Sequence, residues 1–294
     1  MKPRPTLLAL LVVAIAATSI ATAADYEIRF QRPVAVGDTY RATGTGSDEQ
    51  SILATVDGQT VQQREDKYSV EYTADYEILA LTPGGRASKA RLTIVRLIRT
   101  AGGQTSELLP AGTVVSAEND GQTTFFKQGD STVAPIVAAA LSTLGVTMAS
   151  DKQVNDDQVF GTPERKRVGE SWPINAELAA ADLAKMGIPA SATNLSGRTT
   201  LVEVLQQAGG PVLKLTARID IDGVNPPLPP GIEVKSSVVS MSMSGLFPVD
   251  LTQRSKQEST SMAMELKAGG MRDGKTMEMN MTKKTSRETH FTRD

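Results

Sequence analysis

Along residues 67–79 polar and apolar side chains alternate one for one. Tyr68, Val70, Tyr72, Ala74, Tyr76 and Ile78 share one face, while Lys67, Ser69, Glu71, Thr73, Asp75 and Glu77 share the other. A period of two predicts a strand with one side in the core. A helix would also align the tyrosines, but it would not leave the alternate positions so consistently polar. Pro83-Gly84-Gly85 then supplies a turn, residues 89–99 a return strand with Leu92 and Ile94 inward, and Ala101-Gly102-Gly103 another turn. The second half repeats this layout. Residues 201–206 read as a strand and Gly209-Gly210 as a turn. Residues 211–222 return with Leu213, Leu215, Ala217, Ile219 and Ile221 on the inner face. Such alternation indicates a half-exposed antiparallel sheet, with Tyr72 and Ile219 buried on it.

The halves resemble each other in more than period. Val36-Gly37-Asp38-Thr39-Tyr40 matches Val168-Gly169-Glu170-Ser171-Trp172 in residue character, and 89–94 echoes 214–219 behind a Gly-Gly turn. A Gly-acidic-hydroxyl-aromatic tetrad suits a turn that hands the chain into a strand, its aromatic plugging the edge of the core. Two helices are expected between the halves. One starts at Ser131 or Thr132 and runs to about Met148, apolar all round. The other runs from an Asn175 cap to Met186, with Gly187 and Pro189 as its stop. Residues 151–167, dense in charge, read as an exposed connection. After the stiff loop 225–231, with four prolines, three long strands are expected over about 232–246, 249–267 and 275–287. Strands of that length suit a curled sheet better than a small sandwich.

The pattern therefore predicts a mainly β fold: two similar antiparallel β-modules forming a large curled sheet or half-barrel, with two short helices between them. The expected divisions are a signal peptide at 1–23, a first β-module at 24–130, a helical and charged connecting region at 131–190, and a second β-module at 191–294. The leader is read from Lys2 and Arg4, an apolar run over residues 7–17, and Ala21-Thr22-Ala23 before the cleavage point. The run is short for a bilayer span, and no later segment is long enough to be one. A soluble, periplasmic or secreted protein with no transmembrane segment after cleavage is the expectation.

Composition narrows the chemistry. The 294 residues include no cysteine and one histidine, His290. Disulfides, iron–sulfur clusters, thiol nucleophiles and multi-histidine metal sites are thereby excluded. Without residues 1–23 the chain carries 29 basic against 33 acidic residues, a net charge of −4, which argues against nucleic acid as a partner. No Walker loop, nucleophile elbow or His-Glu-x-x-His run occurs. No cofactor is expected. Asp156-Asp157 is a carboxylate pair on the charged connection and reads as solvated surface.

Methionine is the skewed residue, with eight of eleven between positions 241 and 281. Met241 with Met243, Met262 with Met264, and Met277 with Met279 and Met281 repeat at a spacing of two, which places each group on one strand face. Three uses fit such a cluster: gap-filling core, a soft wall for an apolar ligand, or a Cu(I) site of thioether donors. The ligand-wall candidates are Met241, Met243, Met262, Met264, Tyr68, Tyr72 and Tyr76; all seven clustered methionines are the Cu(I) candidates. The leading expectation is a non-catalytic exported protein that binds a lipid, another apolar small molecule or an envelope component. A periplasmic Cu(I)-binding protein and a carboxylate-dependent enzyme are the alternatives.

Overall fold

The computed structural model describes residues 24–121, 123–185 and 187–292. The expected leader and Met186 lie outside the described residues. The chain begins with a long antiparallel meander: β1 (Thr39–Val56), β2 (Gln59–Leu81), β3 (Ala87–Ala101) and the short β4 (Gln104–Glu107), β5 (Val114–Asn119), β6 (Thr124–Gln128) and β7 (Ser131–Thr132). Helices α1 (Pro135–Thr143) and α2 (Asp156–Phe160), the short strand β8 (Ser171–Pro173) and helix α3 (Ala176–Lys185) follow. A second meander closes the chain: β9 (Leu195–Gln207), β10 (Gly210–Asp222), β11 (Ile232–Pro248), β12 (Gln257–Arg272) and β13 (Lys275–Thr292).

All the strands join one antiparallel sheet in the order β7-β6-β5-β3-β2-β1-β13-β12-β11-β10-β9-β8, with β4 paired to β3. The two meanders thus lie side by side, joined along β1 and β13 from Arg41–Thr292 to Val56–Met277. The sheet ends at β7 and β8 and does not close. Its inner face is read directly from the period-two pattern. Tyr72, Tyr76 and Ile78 on β2, Leu92 and Ile94 on β3, and Leu215, Ile219 and Ile221 on β10 are buried.

The paired turns that begin the two halves have the same geometry. Gly37 and Gly169 adopt φ values of 89° and 87°. Their amides donate to Ile78 O at 2.8 Å and Leu201 O at 2.7 Å. Asp38 Oδ2 and Glu170 Oε2 each accept the amide three residues upstream, from Ala35 at 2.8 Å and Arg167 at 2.9 Å. Tyr40 and Trp172 then enter the core. Only glycine takes such a positive φ without strain, so the tetrad encodes the turn. The second turn falls within the region expected to be a connection, and the second set of strands accordingly starts at β8.

The helices depart further from expectation. Ser131 and Thr132 form β7 instead of capping α1, which begins at Pro135 without a side-chain cap. Asn175 caps α3 as expected, its Oδ1 accepting from Leu178 at 3.1 Å. The charged connection contains the third helix, α2. Asn155 and Gln158 make a reciprocal capping box, and Val159 and Phe160 turn inward to be buried. Local capping plus two apolar anchors outweighs the high average polarity of this stretch. At the C-terminal end, Gly269 and Gly270 lie within β12 instead of in a turn, because Gly270 passes against the Gly231 carbonyl where no side chain fits. Residues 250–256 form a loop, with Asp250 as its local hydrogen-bond acceptor.

Candidate functional site

The core is divided. One cluster packs α1 on the inner face of β2, β3 and β5, around Tyr72, Leu92, Leu97, Leu141 and Val146. A second packs α2 and α3 on β10 and β11, around Phe160, Leu183, Ile219 and Val239. Between them the inner face of the sheet stays open as a cavity of about 860 Å³. That volume lies within the usual range for a small-molecule site, about 300–1,000 Å³.

The floor of the cavity is set by strand register. Met241 and Met262 stand directly opposite each other on β11 and β12, and Met243 faces Thr260. All three are half-exposed and line the cavity, together with Leu215, Ile219 and Phe247. Met264 is carried on the same face and, like these three, packs on the second cluster, but it does not line the cavity. Met277, Met279 and Met281 share that face too. They sit beside Gly270, Ala268 and Leu266, from about 13 Å to about 26 Å beyond Met262 along the strands, and do not line the cavity. The seven methionines thus lie on one face without forming one compact group.

The tyrosines divide similarly. Tyr72 and Tyr76 line the cavity with their hydroxyls 3.4 Å apart, and Tyr40 stacks on Tyr76 at 4.7 Å. Burial pushes the Tyr40 phenol up to about 12 and raises those of Tyr72 and Tyr76, so all three stay protonated. Tyr68 instead anchors α1, through a 2.8 Å bond to the Thr143 hydroxyl.

Charged groups reach the cavity that residue spacing alone did not single out. Arg287 on β13, Arg254 in the β11–β12 loop, Glu258 on β12 and Asp156 on α2 all line it. Arg254 lies 3.7 Å over the Tyr40 ring. Arg287 lies against Gly145, which ends α1 with φ 74°; a methyl group on Gly145 would come within 2.5 Å of the guanidinium. Asp156 was expected on a solvated surface, yet the surface it exposes is that of the cavity. Burial lifts its carboxyl to about 6, helped by Glu258, Asp157 and Asp182 and opposed by Arg86. Its neighbour turns the other way: Asp157 Oδ1 accepts the Phe30 amide at 2.5 Å and the Gln31 amide at 3.3 Å. Extending the methionine parity along each strand would have found two of these groups. It runs from Met262 back to Glu258 and from Met281 on to Arg287.

A shallower groove of about 570 Å³ crosses the outer face over hydroxyls such as Thr200, Ser244 and Ser259. His290 lies on the same outer face, 2.8 Å from Glu288. Among the described residues no helix is long and apolar enough to cross a membrane.

No family model matches the chain, and no curated protein sequence does. Among solved structures, lipovitellin, in a study of its lipid–protein interactions, aligns with a TM-score of 0.38 at 10% identity. The alignment covers 90% of this chain and 25% of that one. OpdQ of Pseudomonas aeruginosa aligns with a TM-score of 0.22 at 6% identity, over 84% of this chain and 97% of that one. An outer membrane channel from Pseudomonas putida F1 also gives 0.22, at 9% identity over 89% and 97%. At scores below 0.5 none of these likenesses bears on function.

Proposed function

We propose that this chain is a non-catalytic carrier of the cell envelope or exterior, holding a lipid-sized amphipathic molecule between its packed clusters. The observation that supports this most is the wall made by Met241, Met243 and Met262. These thioether side chains pack against the second cluster on one side and stay half-exposed onto an open interior of about 860 Å³ on the other. Methionine is flexible and polarizable, so it conforms to chains of varied shape. Filling the space tests the reading. Ala217, 5% exposed on the floor, replaced by Trp should abolish uptake of a fluorescent fatty acid while the β-sheet circular dichroism is retained. Undiminished uptake by that folded variant would refute the cavity as the site.

A carboxylate-dependent enzyme is the second reading, favoured by the raised Asp156 carboxyl and its coupling to Glu258. The Asp156→Asn variant separates the two. A carrier retains its ligand, whereas such an enzyme loses turnover.

A further inference from the structure

The lining charges restrict what such a ligand can be. When a ligand enters, water leaves, and every charged group on the wall must then be matched. Several already are. Arg86 donates to the carbonyls of Ser150 at 2.6 Å and Gln153 at 2.9 Å. Asp48 pairs with Lys283 at 3.6 Å, and Asp182 with Lys185 at 3.9 Å. Glu258 accepts the Ser255 hydroxyl at 2.6 Å.

Arg254 and Arg287 are different. Among the described residues neither guanidinium has a carboxylate within 4.0 Å. Arg254 rests on aromatic rings, with Phe291 5.8 Å away as well as Tyr40. Arg287 rests on the carboxyl-terminal end of α1, where Gly145 leaves it room. A carboxylate losing its water can take up a proton, and Asp156 is disposed to do so. A guanidinium has no such escape. Neither Glu258 nor Asp156 pairs with either arginine, so a guanidinium is left for the ligand to match.

The geometry points to a long-chain amphiphile with a monoanionic head, its chain on the methionine wall and its head on Arg254 and Arg287. The inference rests on the carrier reading and adds the sign of the head group. A fatty-acid carboxylate and the phosphodiester of an anionic phospholipid share that chemistry.

Calorimetric titration of the delipidated chain with four probes tests it: palmitate, lysophosphatidylglycerol, hexadecanol and hexadecyltrimethylammonium. Both anions should bind roughly tenfold or more tightly than hexadecanol, and the tighter of the two identifies the head. Arg254→Gln and Arg287→Gln should each remove that preference and leave hexadecanol binding unchanged. Arg287→Lys, which keeps the charge, should retain part of it; thermal melting of each variant confirms its fold. Equal affinity for palmitate and hexadecanol in the unaltered chain, or a preference for the ammonium, overturns the inference. Failure of all four to bind overturns the carrier reading itself.

Discussion

At the scale of single residues, Asp156 and Asp157 show how neighbours of the same type come to serve different ends. Asp157 is fixed by two backbone amides, and Asp156 projects into a cavity where burial and like charges hold its carboxyl near 6, against an ordinary 3.8. Among the groups facing Asp156, Glu258, Asp157 and Asp182 raise its carboxyl and Arg86 opposes them, and Arg287 shares the cavity with it. Because the folded state binds this proton more tightly than the unfolded chain, the stability this group contributes is fully present below about 4 and is lost as pH rises through about 6. Replacing Asp156 with Asn should flatten that decline in a series of thermal melts across this range. A decline of unchanged size would place the titration elsewhere. None of this was legible in the sequence, where the pair sits among charged residues. The inward places of Tyr72 and Ile219, by contrast, follow from alternation alone. Both are buried, at 3% and 5% exposure.

Elements were legible to the extent that they carry their own signals. Period two gave the meanders, and a five-residue echo gave two turns with matching hydrogen bonds. The short helix α2 was hidden because one capping box and two apolar side chains are too small a signal within a charged stretch. The β12 glycines misled for a related reason: the close approach of Gly231 that requires glycine there is set by a distant part of the chain. Helix α1 supplies the prediction at this scale. It ends at Gly145, whose positive φ is strained for any other residue and whose missing side chain makes room for Arg287. Gly145→Ala should therefore cost about 1–2 kcal/mol in denaturant unfolding and should weaken binding of an anionic amphiphile by displacing the arginine. A neutral effect on both would show that the contact is dispensable.

At the scale of the whole molecule, what matters is that an open sheet of this size is covered, among the described residues, by three short helices. They fill the inner face at two places, α1 over β2 and β3 with its end reaching β1 and β13, and α2 and α3 over β10 and β11, and leave part of the face between them open. The sequence located the methionines but not the gap beneath them, since whether a strand face is packed or open depends on where the helices dock. The central claim is that this gap holds a ligand in the working protein. Native mass spectrometry of the full chain, purified without detergent from its own host, tests that claim most directly. The carrier account predicts a population heavier by the mass of one lipid-sized anion, lost on collisional activation and absent from Ala217→Trp. A single ligand-free mass, unchanged after incubation with palmitate or lysophosphatidylglycerol, would contradict it.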